Sequence, residues 1–242
     1  PGTRFEYSDI NFIALGELVR RVSGERLDRY AKQHIFTPLG MGETTFRPAS
    51  GLRPRIAPSD LQKGKLRWGE VQDPTAYRMG GVAGHAGLFG TADDLARFAQ
   101  MLLGNGKRIL SPASLLAMTL PRPIVEGTIR GLGWDIASGY SAGQDAFGPE
   151  SFGHTGYSGT SIWIDPKRGL YLIILTSRLH PDDKGDVKPL REKLAVAVAA
   201  AIPSPVLTGI DVLEGQAFAP LAGKRVGLLT NQTGRDASGR RD

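Results

Sequence analysis

The sequence predicts an α+β fold, with helices gathered on either side of a run of antiparallel strands, on three observations. Residues 9–22, DINFIALGELVRRV, set Ile10, Ile13, Ala14, Leu18 and Val22 along one helical stripe, with Glu17, Arg20 and Arg21 on the other side. Three apolar runs then follow one another: GLGWDIA (131–137), GTSIWID (159–165) and GLYLIILTS (169–177). Asp165 to Gly169 supplies turn chemistry between the last two, which makes them a hairpin. A closing amphipathic helix, KPLREKLAVAVAAAI (188–202), is stopped by Pro203 and Pro205.

The remaining elements follow from local signals. Ser8 or Asp9 can cap the first helix and Gly24 can end it; a second helix from about Glu25 to Phe36 buries Leu27, Tyr30, Ala31 and Ile35. PLGMGETTF then turns the chain. Residues 47–90 are rich in Gly, Pro, Arg and Lys and hold no sustained period beyond a possible short strand, so they read as a long irregular excursion. That excursion ends in GGVAGHAGLFG, five glycines in eleven residues, where backbones approach closely or turn sharply. Thr91 and Asp94 open a helix through Leu95, Phe98, Ala99, Leu102 and Leu103 to Gly104, and Ser111-Pro112 opens SPASLLAMT. Trp134 and Trp163 sit in strand patterns and are assigned to the core, and the alanine run 195–201 to helix packing.

Beyond the proline pair a new phrase begins. Residues 203–208 read as a Pro-containing linker, and 209–242 as the start of a second α/β domain whose first strand lies in GKRVGLLTNQTG. So short a stretch cannot bury a core of its own. The first residue is Pro1 and the last a charged Asp242 in mid-phrase, so both ends read as cut and the chain is expected to be a fragment.

Composition narrows the chemistry. The 242 residues carry 30 Lys and Arg against 24 Asp and Glu, a net +6 spread thinly, which reads as a solvated basic surface with no nucleic-acid partner. With no cysteine, disulfides, thiolate zinc sites and cysteine nucleophiles drop out together. No window reaches the 18 or so apolar residues of a membrane span. His34, His85, His154 and His180 lie far apart with no HExxH-type spacing, so neither metal nor cofactor is expected. Helix capping accounts for Asp93 and Asp94, and a glycine-rich packing loop for His85.

Four phrases carry a family resemblance: PGTRFEYSDINFIALGELVRRVSG, IFTPLGMGETTF, GGVAGHAGLFGTADDLARFAQMLL and SFGHTGYSGTSIWID. In this order, over residues 1–202, they resemble the serine β-lactamase and penicillin-binding-protein-like hydrolases, particularly the class C and esterase branch. The resemblance implies a β-lactamase/transpeptidase-like antiparallel sheet flanked by helices, incomplete here, and acyl transfer through an acyl-enzyme. It implies that Tyr7 works with a lysine to take and return the nucleophile's proton, which calls for a neighbouring cation to lower a phenol pKa near 10. Asp9 matches the usual Asn that contacts substrate and that lysine. His154, Thr155 and Gly156 match the Lys-Thr-Gly triad, placed at the opening of a strand, with Ser158 beside them as a further substrate contact. The N–H of Tyr157 is assigned half of an oxyanion hole, with Gly156 and Gly159 leaving room for the substrate.

Asp9 cannot donate as Asn does, and a neutral His154 holds a carboxylate less firmly than Lys. An esterase, a D-amino-acid peptidase or a cell-wall-directed amidase therefore fits better than an efficient β-lactamase. No Ser or Thr has a Lys three positions on, so the family's Ser-x-x-Lys nucleophile is missing from these residues and the chain by itself is expected to be inactive. The alternative is a non-catalytic module of penicillin-binding-protein type that holds cell-wall peptides. The tail, GIDVL with LAGKRVGLLTNQTGRD, resembles the start of the exo-β-N-acetylmuramidase family. The two resemblances together imply a small-molecule or peptidoglycan-derived substrate and an exported location.

Overall fold

A computed structural model describes residues 4–106, 108–141, 143–202 and 209–224. The chain divides into two units, Pro1–Ala201 and Ile202–Asp242.

In the first unit, helix α1 (Asp9–Ser23) starts and stops where its sequence says. Ser8 is extended and its hydroxyl accepts from the Ile10 amide at 3.3 Å, and Gly24 closes the helix at φ 74°. Glu17 pairs with Arg20 and Arg21 on one side. The apolar stripe, however, is open: α1 buries none of its residues, and Ile10 and Val22 are 71% and 80% exposed. The expected second helix is displaced and divided, into α2 (Leu27–Ala31), a wider π turn (Lys32–Phe36) and α3 (Thr37–Leu39). Ala31, Phe36 and Met41 form a small core there.

The PLGMGETTF turn and the stretch expected to be irregular after it contain short elements whose lengths are below what periodicity can register. They are β1 (Thr45–Phe46), a 3-10 turn (Ser50–Arg55), the hairpin of β2 (Leu61–Gln62) and β3 (Lys65–Leu66), α4 (Pro74–Arg78) and β4 (Leu88–Phe89). Strand β4 returns to pair antiparallel with β1. Between α4 and β4 the backbone presses on α1: a Cβ on Gly84 would lie 2.0 Å from the Phe12 carbonyl oxygen, a separation no side chain tolerates. This close approach carries His85 to the first helix.

Helices α5 (Ala92–Leu103) and α6 (Pro112–Thr119) are capped by the Thr91 and Ser111 hydroxyls, as expected. Asp94 does more than mark a helix start. Its carboxylate, 1% exposed, accepts from the Glu43 amide and the Thr44 hydroxyl, both at 2.8 Å, and from Arg97 at 2.9 Å. It therefore ties α5 to a segment some fifty residues earlier.

The sheet follows: β5 (Arg122–Val125), β6 (Thr128–Arg130), β7 (Asp135–Ala137), β8 (Phe152–Thr155), β9 (Ser161–Asp165) and β10 (Leu170–Ile174). All neighbours are antiparallel, in the order β10-β9-β8-β7-β6-β5. Successive strand residues face opposite sides, so Ile164 joins Met101, Leu102, Leu115, Trp134 and Phe152 under α5 and α6. Trp163 faces the other way, onto Phe147 and Ala195 of α7 (Lys188–Ala201). One strand expectation needs correction. His154 and Thr155 end β8 instead of opening a strand; residues 156–160 form the turn and β9 begins at Ser161. Apolar periodicity had merged the hairpin's first arm into its loop because SFGHT carries only one large apolar residue.

The second unit shows α8 (Gly209–Gly215) and a 3-10 turn (Ala219–Leu221). The expected linker 203–208 and the strand and polar turn in 225–233 lie outside the described residues.

Asp94→Ala strands the Thr44 hydroxyl and the Glu43 amide without an acceptor, and is expected to cost roughly 3 kcal/mol in urea unfolding. Asp94→Asn keeps one acceptor oxygen and should cost less. A loss below about 1 kcal/mol for the alanine variant would contradict the stitching role.

Candidate active site

Tyr7 stands just before the α1 cap, and β8 ends in the middle of the sheet. Their meeting is the geometric core of the site: the Tyr7 ring lies 6.4 Å from the His154 ring and 5.3 Å from that of Tyr140. Residues 147 apart in sequence thus share one patch, with Tyr7 still 42% exposed.

His154 is locked from both sides. Its Nδ1–H donates to the Thr155 carbonyl at 2.9 Å, and Nε2 accepts from the Arg130 guanidinium at 3.0 Å. This set of partners fixes the neutral tautomer. Burial lowers the imidazole below its usual 6.5 and Arg130 adds to that, against upward pulls from the Thr155 carbonyl and Asp135. The ring therefore has no free N–H for a ligand, and the positive charge at this end of β8 is Arg130's.

Arg130 was not nominated by the sequence. It ends β6, its side chain is 11% exposed, and it reaches over β7 to β8 while its Nη1 lies 3.5 Å from Asp135 Oδ1. Its guanidinium also sits 5.7 Å from the Phe5 ring, just upstream of Tyr7. Asp135, 2% exposed, accepts from the Ser138 and Ser141 hydroxyls. A signal for this group does exist in the sequence: an Asp within the apolar strand GLGWDIA must be buried, and a buried carboxylate calls for a cation and hydroxyls. Which of the chain's basic residues would answer could not be read from one strand.

The turn after β8 is held from below. Arg191 of α7, 8% exposed, donates to the Thr160 carbonyl at 2.8 Å and to that of Gly156 at 3.3 Å. Gly159 adopts φ 116°, and a Cβ there would lie 2.8 Å from the Thr176 carbonyl; one on Gly156 would lie 2.5 Å from the Thr160 hydroxyl. The turn itself calls for glycine at 159, and at 156 a side chain would have to displace the Thr160 hydroxyl, so turn geometry is a reason for both glycines beside the room they are expected to leave for substrate. The Tyr157 side chain is turned outward, with its hydroxyl donating to Asp183 at 2.8 Å and Arg178 stacked 4.7 Å over its ring. Its backbone N–H donates to no described group. Thr155 Oγ1 makes one long contact, 3.4 Å, to the Tyr140 carbonyl, and the Ser158 carbonyl accepts from the Arg178 amide.

Asp9 lies on the other flank of Tyr7. Burial and then the Asp9 charge push the Tyr7 phenol above its usual 10, while Arg130 pulls it down. The cation that the sequence called for is present, but within this chain it is outweighed. The Asp9 carboxylate gathers with Asp73 and His85, whose ligand atoms all lie within 4.8 Å of one another. His85 Nε2 is 2.8 Å from Asp73 Oδ1, and that carboxylate also accepts from the Ala76 amide to cap α4. A separate cavity of about 510 Å³, lined by Arg47, Arg53, Ile56, Trp68, Glu70 and Tyr77 among others, includes none of the nominated residues.

The sequence profile of the family described as Beta-lactamase matches residues 1–197. The chain belongs to the Beta-lactamase family. A curated relative within reach is the "Putative D-alanyl-D-alanine carboxypeptidase" of Escherichia coli (strain K12), 36% identical over 204 residues, which are 74% of this chain and 46% of that protein. The chain thus spans about half the length of the curated relatives it matches. A β-lactamase from Mycobacterium bovis superposes with a TM-score of 0.56 at 28% identity, covering 82% of this chain and 66% of that one. EstCE1, described as a hydrolase with promiscuous acyltransferase activity, superposes with a TM-score of 0.59 at 22% identity over 81% of this chain and 57% of its own, a likeness of fold. The mixed architecture, an antiparallel sheet with helices, is the one these Beta-lactamase-like neighbours share. The match ends at residue 197, so nothing in it bears on the muramidase-like reading of the tail.

Arg130→Gln removes a charge that lowers His154 and keeps a side-chain donor, so the His154 pKa should rise towards 6.5 by NMR titration. An unchanged or lower value would contradict the assignment. The linkage sign follows: a His held neutral in the fold stabilises fully above its unfolded pKa of about 6.5, and that stability is lost as pH falls through the folded value. The variant should therefore be less acid-sensitive than the parent in this window.

Proposed function

We propose that this chain supplies one wall of the active site of a serine acyl hydrolase, the wall that carries the proton-handling phenol and the substrate-lining strand end. The observation that carries the reading is the meeting of Tyr7 with the end of β8, beside a Tyr157 N–H that donates to no group among the described residues. The nucleophile in this reading is the serine of a Ser-x-x-Lys segment that these 242 residues do not contain.

The chemistry assigned to each group is as follows. This chain by itself holds the phenol above its usual 10, so in this reading the lysine of the Ser-x-x-Lys segment first takes the phenol's proton. The serine hydroxyl then attacks the acyl carbonyl and gives its proton to the Tyr7 phenolate, while the tetrahedral oxyanion accepts from the Tyr157 N–H and from the serine's own N–H. Tyr7 returns the proton to the leaving group as the C–X bond breaks. Water then repeats the sequence on the acyl-enzyme, releasing the acid and restoring the serine. Thr155, Gly156 and Ser158 line the acyl group's path, and Asp9 flanks the phenol.

Because His154 spends both nitrogens within the protein, the charge that attracts a substrate carboxylate in this reading is Arg130's. An ester or peptide bearing a nearby carboxylate suits such a wall, which accords with the carboxypeptidase name carried by the E. coli relatives. Cell-wall peptides are the substrate class we favour.

In a polypeptide that carries both a Ser-x-x-Lys segment and this chain, Tyr7→Phe should lower turnover of a chromogenic ester by about a hundredfold or more. Unchanged turnover would remove Tyr7 from the mechanism. The 242-residue chain alone should not be labelled by a fluorophosphonate, and labelling would place the nucleophile within it.

A further inference from the structure

We propose that Asp9, Asp73 and His85 form a binding site for a divalent transition-metal cation of the zinc type, at the start of α1 two residues from Tyr7. It is the one group of three or more such side chains found among the described residues. Sequence spacing hides it, since one ligand opens α1, the second caps α4 and the third sits in the glycine-rich loop that Gly84 presses onto α1.

The donor set argues for the ion. A carboxylate pair with an imidazole is the oxygen-and-nitrogen mixture that zinc-like cations take, whereas magnesium and calcium favour oxygen alone. Ligands on one tetrahedral ion, with bonds of ~2.0 Å, stand about 3.3 Å apart. The His85–Asp73 separation of 2.8 Å is within half an ångström of that figure. The outer limit of 4.8 Å must contract, and Asp9, exposed at the helix start, has the side-chain freedom to close it.

Two further observations bear on the same place. The His85 side chain is 4% exposed, so its imidazole is held with Nε2 towards Asp73, and that nitrogen is the one an ion between the two would take; Nδ1 lies on the far side of the ring and has no part in the site. The Asp9 carboxylate enters no hydrogen bond or ion pair among the described residues, although it lies near a second carboxylate. A bound cation would offset both negative charges, and would replace the His85–Asp73 hydrogen bond with two coordinate bonds. Three protein ligands leave a coordination position for water or for a ligand oxygen.

The test needs no turnover and so does not depend on the hydrolase reading. Tag-free chain is titrated with zinc chloride, and separately with magnesium chloride, by calorimetry near neutral pH. One zinc ion should bind per chain and magnesium far more weakly. Asp9→Asn and His85→Gln should each weaken zinc by at least roughly tenfold, the lower bound for losing even an outer partner of a metal site. Circular dichroism checks that each variant is folded; Asp9 is exposed, so its variant tests the site even where the His85 variant does not fold. No zinc binding, binding indifferent to Asp9→Asn, or magnesium binding as tight as zinc would each overturn the proposal.

Discussion

Arg130 and His154 are joined over the intervening strand β7 by a hydrogen bond of 3.0 Å, and much of the site depends on it. The bond connects the hairpin of β5 and β6 to the middle of the sheet. It also carries a buried cation to the place where the chain enters α1, since the same guanidinium faces the Phe5 ring. In return the guanidinium needs compensation, which Asp135 supplies with its two serine partners. A buried charge of this kind is tolerable only when its neighbours are fixed, so strands β6, β7 and β8 hold one another in register through polar groups as well as through their ladder.

The same bond decides the chemistry of His154. An imidazole whose Nε2 accepts from an arginine and whose Nδ1 donates to a carbonyl has no capacity left for a ligand. It serves as a neutral spacer that presents Arg130's field at the end of β8. Arg191 plays the corresponding part beneath the turn, fixing the Gly156 and Thr160 carbonyls on either side of Tyr157–Gly159. Two arginines, one on each side of the strand end, thus set its shape.

Legibility in the sequence followed the range of the interactions. Helix caps are local, and Ser8, Thr91 and Ser111 were readable at once. Strands β7, β9 and β10 were readable from apolar runs. The β5–β6 hairpin and the two-residue strands of the 45–90 region were not, because so few residues set no period. Tyr7 and His154 were legible only through a family resemblance, since nothing local announces that a residue before one helix meets a strand end 147 positions later. Arg130 and the Asp73–His85 pair escaped for the same reason: each owes its position to a contact between distant segments. The exposed stripe of α1 shows the reverse case, where a correct helical pattern did not tell what covers it.

The hydrolase reading rests on a phenol and an imidazole that share one patch. Nuclear Overhauser contacts among ring protons test this most directly, with Tyr7, Tyr140 and His154 assigned in the 242-residue chain. Contacts from the Tyr7 ring to both the Tyr140 and His154 rings are predicted. A Tyr7 ring that shows neither contact, while His154 retains its own to neighbouring residues of β8, would contradict the account.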